Sequence, residues 1–409
     1  MNLTKILSIC FALFNISFIK AQYTIPYYYD TLERNQEINF NLPFEYSSSS
    51  ISNKLITHFI QGGEIPESVI NQQVDNHKQY NRVGINLSPS FEYINYKIKP
   101  FKSKNWGLIT KAGALYNGVI KYQEGLFGLT FHGNEPYLGK KIDLSNMSFN
   151  FIGAHKFGIG LIDAKTKSNV SLNVYGITNY LNAYTNDAHF SQDETGFDAE
   201  LLLSGKYENA KSSSFYKGYG VGIDANFFFN LGSTEKPTFL QFSIQNLGVG
   251  FLNDNVIRQS LDTTLSQNGY KISQLINNET LFNSDKTVAD EIGLEKDTIS
   301  KTLALPFTVQ IGKIIDEHNM KAIQFYYGAR VYVQNGALPM AYLGGQYRSK
   351  KWFRAGIGAS YGGYTGFRAN MYIQAVGKNF NIGLSTHDIA GAIGMGKGQA
   401  YSLSLSRRF

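Results

Sequence analysis

Apolar and polar residues alternate along many segments of about ten residues, and clusters of Gly, Asn, Asp, Ser or Lys separate these segments. The clearest case is residues 321–333, where Ile323, Phe325 and Tyr327 belong to an apolar odd-numbered face and Arg330 to the opposite face. Side chains that repeat with a period of two lie on alternate faces of an extended chain. The pattern therefore predicts β-strands along most of the sequence.

Fifteen segments carry this pattern, and they predict strands at 35–47, 82–98, 105–118, 147–161, 168–182, 197–207, 218–231, 238–249, 303–315, 321–333, 339–348, 351–361, 366–377, 379–387 and 398–409. Residues 105–130 fit least well. Bacterial single-chain barrels in membranes have an even number of strands. If the segments form such a barrel, about fourteen strands are expected.

Two kinds of β protein alternate in this way, a soluble β-sandwich and a membrane β-barrel. In lipid every backbone polar group must be bonded internally, so strands span a membrane only within a closed ring. The long segments and the many Gly and aromatic residues favour the barrel. The predicted fold class is an all-β, antiparallel transmembrane β-barrel of about fourteen strands, with a short helical segment near the N-terminus.

The lengths of the predicted connections divide between the two ends of such a barrel. The end that holds the C-terminus receives short connections at 377–379, 348–350, 316–319 and 232–237. The other end receives 389–398, 362–365, 335–338 and the long stretch 253–302. Short periplasmic turns and longer external loops are typical of outer-membrane barrels.

Two regions do not follow the strand pattern. Residues 50–80 predict one or two short helices, with Ser52 as a cap and Pro66 at the start of the second. This piece is either a plug of the barrel, a cover of its periplasmic end, or a surface insertion between the first two strands. Residues 253–302 are polar and rich in acids, with a helix expected near 272–282, and predict a long extracellular loop that is either a lid or simply solvated.

Residues 1–21 predict a secretory signal peptide, with Lys5 before an apolar stretch and Ala21 before the expected cut, so that 22–409 form the mature barrel. Cys10 is the one cysteine and would be removed. Cleavage also lowers Lys plus Arg from 38 to 36 against 31 acids, a net charge of +5. No basic block or nucleic-acid motif is present, so nucleic acid is not an expected partner.

Composition excludes several other classes. The chain has 29 Phe, 27 Tyr and 40 Gly in 409 residues, which is unlike a disordered chain. A single Cys does not make a disulfide scaffold. After residue 22 no apolar run reaches 18 residues, so a multi-span helical protein is excluded as well.

Catalytic and metal-binding motifs are missing. There is no G-x-S-x-G elbow, and the seven His residues do not occur at metal-ligand spacing. Residues 391–398 nearly match a phosphate loop, but Gly398 stands where Ser or Thr is required, and a strand rather than a helix follows. We therefore expect no enzyme, no cofactor and no metal.

Arg330, Arg354 and Arg368 occupy the polar faces of neighbouring predicted strands. In a barrel they would line the lumen. There they either contact an anionic solute or pair with groups of the lumen itself. The final strand ends in Tyr401, Leu403, Leu405 and Phe409 on one face, with Arg407 among them.

Several segments carry a resemblance to a known family. They are Leu305-Pro-Phe307, Arg368-Ala-Asn370, 381–388, Gln245-Asn-Leu-Gly248 with Phe251, and the terminal Tyr401 to Phe409. Together they resemble Bacteroidota outer-membrane β-barrel proteins of an uncharacterised family, a domain of unknown function. That family is similar in shape to long-chain fatty-acid transporter-type barrels and to barrels associated with type IX secretion. The likeness extends over most of residues 35–409.

The resemblance implies the cell outer membrane as location, with membrane lipid and the barrel-insertion machinery as partners. Tyr401, Leu403, Leu405 and Phe409 would form the signal read by that machinery. The expected function is passage or binding of a small, by preference apolar, solute. The alternative is a non-conducting accessory barrel for secretion, gliding or surface-complex assembly, with a corresponding protein partner.

Overall fold

The computed structural model of the protein describes residues 28–29, 35–211, 213–232, 238–268, 295–316, 321–333, 336–350 and 352–409. The predicted signal peptide and the helix expected near 272–282 lie outside these residues. Most of the described chain is β-strand, as predicted. The strands are β1 (Tyr28–Tyr29), β2 (Gln36–Ser48), β3 (Tyr80–Leu87), β4 (Ser90–Asn95), β5 (Trp106–Gln123), β6 (Lys141–Asp143), β7 (Ser148–Asp163), β8 (Asn169–Gln192), β9 (Asp198–Ala210), β10 (Gly218–Asn230), β11 (Phe239–Asn268), β12 (Glu295–Ala304), β13 (Phe307–Lys313), β14 (Ile315–Asp316), β15 (Ile323–Val333), β16 (Leu338–Lys350), β17 (Phe353–Gly363), β18 (Gly366–Val376), β19 (Phe380–Thr386) and β20 (Gly398–Arg408).

The strands form one closed ring. Eighteen of them join a single antiparallel sheet, and β2 pairs with β20 along its length, which joins the first strand of the sheet to the last. Four pairs of strands share one position in the wall because the two members lie end to end against a common neighbour: β3 with β4, β6 with β7, β9 with β10, and β12 with β13. The described wall therefore has fourteen positions, and the prediction of a barrel is confirmed.

The connections alternate between the two ends of the ring. The end that holds Phe409 also holds the described residues 96–105, 164–168, 231–232, 314–316, 321–322, 352 and 377–379. The opposite end, called here the distal end, holds the described residues 49–79, 124–140, 193–197, 336–337, 364–365 and 387–397. This is the predicted grouping of the connections.

The two faces of the wall differ as the alternation requires. On β15, Ile323, Phe325 and Tyr327 are 56, 64 and 57% exposed, whereas Arg330 and Tyr332 are 2 and 6% exposed. The apolar face points outward and the polar face points into the ring. Neighbouring strands follow the same rule because paired residues of a sheet lie on the same face.

In the described part of the chain, four α-helices interrupt the strands: α1 (Asn53–Gln61), α2 (Glu67–Asn76), α3 (Glu124–His132) and α4 (Ile389–Ala392). Ser52 caps α1 by accepting a hydrogen bond from the Leu55 backbone N at 3.4 Å, as predicted, and Pro66 precedes α2. Within the described chain no helix has the length and apolar character needed to cross a membrane.

The first three helices pack on the outside of the ring. Leu55 of α1, Val69 of α2 and Phe127 of α3 form one buried cluster with Tyr46 and Val83. Tyr46 and Val83 belong to the outward faces of β2 and β3, because their sequence neighbours Glu45 and Gly84 face the lumen. The piece at 50–80 is thus an insertion between β2 and β3. It covers the outer wall at the distal end, and the alternatives of a lumen plug or a periplasmic cover are wrong. We call α1, α2 and α3 the collar.

The stretch predicted as a loop at 253–302 is partly strand. β11 extends to Asn268 and β12 starts at Glu295, and the two pair from Val249–Ala304 to Ser260–Glu295. Residues 269–294 lie outside the described chain. At the other end of the ring, β1 pairs in parallel with β14, whose Ile315 is 1% exposed. Ile315 contacts Tyr326 and Tyr372 of the lumen.

Candidate functional site: the lumen and a break in its wall

The outer surface identifies the class of protein. Exposed Ile, Leu, Val and Met side chains cover the middle of the wall, and exposed aromatic side chains lie towards both ends of the strands: Trp106, Trp352, Phe380 and Phe409 on one side, Tyr219, Tyr361 and Phe367 on the other. A closed ring whose outside is apolar and whose inside is polar matches a bilayer with water on both sides. The protein is a β-barrel of the outer membrane.

The lumen is crossed near its distal end by the turn between β15 and β16. A Cβ on Gly336 would lie 2.8 Å from Cγ1 of Val119 on β5, and Arg82 Nη1 donates to the Gly336 carbonyl oxygen at 3.4 Å. Gly336 has a φ of 90°, a left-handed conformation that suits glycine. β5 and β15 occupy the third and ninth wall positions, so this turn reaches almost to the opposite side of the ring.

A second turn fills the same region. Tyr364, between β17 and β18, is 1% exposed, and its ring lies where a Cβ on Gly84 would be only 2.4 Å away. Gly84 sits on the lumen face of β3. The two turns together occupy the distal part of the lumen.

The three predicted arginines all face the lumen and are 2 to 4% exposed. Arg368 Nη1 donates to Glu45 Oε1 at 2.6 Å and to Ser47 Oγ at 3.0 Å. Arg330 donates from Nε to Gln310 Oε1 at 2.9 Å and from Nη1 to the Tyr332 hydroxyl at 3.3 Å. Arg354 lies beside Gln374 in the strand register. Their placement matches the prediction, and a role toward an anionic solute stays a prediction.

Below the crossing turns lies a polar cavity of about 290 Å³. Asp224 stands at its centre, with Lys156 Nζ at 3.0 Å and Lys111 Nζ at 3.4 Å, and Lys111 Nζ lies 3.6 Å from Glu92 Oε1. Serine and amide side chains form much of the remaining lining, including Asn39, Asn41, Ser243, Gln374, Ser402 and Ser404. Glu37, Lys167 and Arg408 also line the cavity, so its polar lining carries charged side chains of both signs, four basic and three acidic.

The wall is interrupted at its sixth position. β9 pairs with β8 as far as Asn209–Leu181, and β10 begins to pair with β8 at Gly218–Ile177. On the other side, β11 pairs with β9 as far as Val256 and with β10 from Phe251. In the described ladder, residues 178–180 of β8 and 252–255 of β11 therefore make no strand pairing toward the sixth position. We call this place the wall break.

Apolar side chains close the wall break from the inside. They form one buried cluster of nine residues: Ile152, Ala154, Tyr175, Ile177, Tyr180, Ala210, Leu252, Val256 and Leu305. Leu252, Val256, Ile177 and Leu305 are each 0% exposed. Where the backbone ladder is missing, side-chain packing thus holds the barrel shut.

Aromatic residues cover the same place from the outside. His155 of β7 lies on the outward face, and the rings of Phe215 and Tyr216 pack on it at centroid distances of 5.6 and 5.9 Å. The Tyr116 hydroxyl lies 3.3 Å from His155 Nε2, and the Tyr216 hydroxyl lies 3.4 Å from Nδ1. Phe215 is 66% exposed. The wall break therefore has an apolar inner face and an aromatic outer face.

The inner cluster adjoins the polar cavity. The hydroxyl of Tyr175, a member of the cluster, donates to Asn246 Oδ1 at 3.3 Å, and Lys156 Nζ donates to the same oxygen at 2.9 Å. Sequence reasoning missed the wall break because 197–207 and 218–231 each alternate like complete strands. The sequence feature that marks the wall break is the short stretch 211–217, with polar and aromatic residues, between the two alternating segments.

The terminal residues Tyr401, Leu403, Leu405 and Phe409 lie on the outward face of β20, as the alternation requires, and their reading by the insertion machinery stays a prediction. Arg407 shares this face, with its guanidinium carbon 4.9 Å from the Phe409 ring centroid. Among the described residues, no group of three or more His, Cys, Asp or Glu side chains is placed to hold a metal ion.

Comparison with known proteins gives weak similarities. No family model and no curated protein matches the sequence, so the resemblance to a Bacteroidota family stays a prediction. Among solved structures, a mutant of the TodX monoaromatic hydrocarbon channel has a TM-score of 0.40 at 9% identity, over 95% of this chain and 97% of that one. The toluene transporter TodX of Pseudomonas putida has a TM-score of 0.35 at 8% identity, over 92% and 88%. The β domain of the Bordetella autotransporter BrkA has a TM-score of 0.30 at 10% identity, over 92% and 100%. Neither a common family nor a shared substrate follows from values this low.

Proposed function

We propose that the barrel binds or passes a small apolar solute, which reaches the lumen sideways from the membrane through the wall break. The observation that carries this proposal is the apolar cluster that fills the interruption of the ladder between β9 and β10. The two turns across the distal lumen support it, because they obstruct the direct route from that end. An apolar solute already dissolved in lipid needs no aqueous route.

The energetics favour opening at this place. Elsewhere, separating two strands breaks a row of backbone hydrogen bonds, and each unpaired group in lipid costs several kcal/mol. At the wall break no backbone hydrogen bond among the described residues joins 178–180 or 252–255 to the sixth position, so opening displaces side chains. A solute with an apolar surface replaces the lost contacts at about 25 cal/mol per Å².

The test places a polar amide in the inner cluster. Leu252→Asn leaves an amide without partners among apolar side chains, at a cost of about 1–3 kcal/mol when an apolar solute covers it. We expect uptake of the apolar fluorophore N-phenyl-1-naphthylamine, by cells that produce the barrel, to fall roughly tenfold.

The matched control is Val119→Asn, at a lumen residue that is equally buried but lies beside the crossing turn. It is expected to leave uptake close to that of the unchanged protein. Heat-modifiable migration on gels shows that each variant is folded. Equal uptake by both variants, or uptake no higher than in cells without the barrel, would contradict lateral access.

A second candidate is a non-conducting accessory barrel for secretion, gliding or surface-complex assembly. The filled distal lumen, with Tyr364 and the Glu45–Arg368 ion pair inside it, favours this candidate. Chemical cross-linking in native membranes, followed by capture of the barrel, would then give one partner in equal amount. In that case production of the barrel would leave the uptake of the fluorophore unchanged. For either function the prediction that the protein is not an enzyme is retained.

A further inference from the structure

We propose that a groove on the outer wall, beneath helix α3, holds one acyl chain of a membrane lipid. The groove has a volume of about 430 Å³ and lies between α3 and the outer faces of β5, β7, β8, β9 and β11. Its apolar lining includes Ile120, Leu126, Phe149, Ala183, Leu203 and Leu261. We call it the collar groove.

Strand register places the floor of the groove on the outside of the barrel. Ile120 pairs with Phe149, Phe149 pairs with Ala183, and Ala183 pairs with Tyr207, so these four residues form one row on one face. Lys111, nine residues before Ile120 on the unbroken strand β5, contacts Asp224 inside the lumen. An odd separation puts Ile120 on the opposite, outward face.

The groove continues the surface that already faces lipid. Below Phe149 on the same face of β7 lie Phe157 and Ile159, which are 55 and 58% exposed. On this face of β7, Phe151, Gly153 and His155 lie between Phe149 and Phe157, and the rings of Tyr216 and Phe215 cover His155. A lipid chain therefore reaches the groove without leaving an apolar surface, whereas a solute from the lumen would have to cross the wall.

Helix α3 forms one side of the groove, and packing contacts hold this helix in place. Phe127 of α3 packs on His77, which follows α2, with ring centroids 4.1 Å apart and on Phe131 at 4.4 Å, and these contacts fix α3 beside the wall. Leu126 of α3 remains 37% exposed at the edge of the groove. At ~30 Å³ for each water-sized group, the space holds on the order of a dozen methylenes. This is the size of one acyl chain, and water would fill such an apolar space poorly.

The experiment fills the groove and counts bound lipid. Ala183→Phe adds a ring to the floor of the groove. Ala359→Phe makes the same change on the outward face of β17, next to Leu343, where the wall meets lipid without a helix above it. Each protein is purified in mild detergent, titrated with dimyristoyl phosphatidylglycerol and examined by native mass spectrometry. Heat-modifiable migration checks the fold of both variants.

We expect the unchanged protein and Ala359→Phe to retain one phospholipid at detergent concentrations that remove the rest, and Ala183→Phe to retain at least tenfold less. Equal retention by the two variants, or no retained lipid in the unchanged protein, would overturn the proposal. A dimer that Ala183→Phe abolishes, with no retained lipid, would also overturn it, because the occupant would then be a second copy of the chain.

Discussion

The wall from β15 to β20 and the wall from β2 to β13 are built differently. In the first part each of the six strands occupies one wall position, and described connections as short as 364–365 and 377–379 join several of them. In the second part all four shared wall positions occur, together with the collar and the longest strands, β8 and β11 at 24 and 30 residues.

The difference separates the features that close the ring from the features that form its cavities and grooves. Alternating strands and tight turns are sufficient for the regular part, which presents little besides a lipid-facing surface and a lumen face. The wall break, most of the charged cavity and the collar groove all depend on the irregular part. A shared wall position is where two strands end within the sheet, and at the sixth position the apolar side chains of the inner cluster close the wall.

The largest expected effect concerns the ion pair that links the two parts across the lumen. Arg368 belongs to β18 of the regular part, and Glu45 belongs to β2 beside β3. Glu45→Gln leaves the guanidinium buried without its counter-charge, at a cost of about 3–5 kcal/mol in the free energy of unfolding. Unfolding by guanidinium chloride in phospholipid vesicles measures this loss of free energy.

The double variant Glu45→Gln, Arg368→Gln serves as the control, since it removes both charges. It is expected to be less destabilised than the sum of the single variants. A loss below about 1 kcal/mol for Glu45→Gln would mean that the two parts are not held together here.

A smaller effect tests the regular part alone. Ile357, in the middle of β17, is 66% exposed to lipid, whereas Trp352 precedes the strand and is 55% exposed. An arginine at the midplane costs about 2–4 kcal/mol, and one near the interface about 0–1 kcal/mol. Ile357→Arg is therefore expected to lower the unfolding free energy in vesicles far more than Trp352→Arg. Equal losses would show that this wall does not face hydrocarbon.

The smallest expected effect is a pH dependence confined to the collar. Burial lowers the pKa of His77, at the end of α2, below its usual range, and the ring bonds to the Gln73 carbonyl oxygen at 2.5 Å and to the Tyr122 hydroxyl at 2.9 Å. A lowered pKa means that the folded collar favours neutral His77. Its contribution to stability is complete above the unfolded pKa of about 6.5 and declines as pH falls through that value toward the lower folded pKa.

Hydrogen exchange measures this prediction. Amide exchange in α2 is expected to become several-fold faster at pH 5 than the intrinsic pH dependence allows, while β15 to β20 keep their protection. His77→Gln should remove the difference between the two pH values. Faster exchange in α2 that persists in this variant would assign the effect to another group.

The strands of the barrel and their two faces could be predicted from the sequence because the alternation of apolar and polar residues is a local property. The alternation of apolar and polar residues in 321–333 indicates which side of the strand faces lipid. Short turns such as 377–379 are predicted where one alternating segment ends and the next begins. The number of predicted runs, fifteen, exceeds the fourteen wall positions by one because 197–207 and 218–231 alternate separately yet share a position. The outward faces of β20 and the lumen positions of the three arginines were predictable for the same local reason.

Tertiary structure decided everything that depends on pairing between distant residues. The apolar face of 50–80 indicated helices that bury one side, but only the fold determined that this side covers the outer wall. The extent of β11 and β12 beyond the expected loop boundary depends on their pairing with each other and with β9. Long strands β8 and β11 pair with two partners end to end, and this creates the wall break without any sequence motif. Strand pairing is chosen by the energy of the whole closed ring, whereas the period of two reports only which side of the chain is apolar.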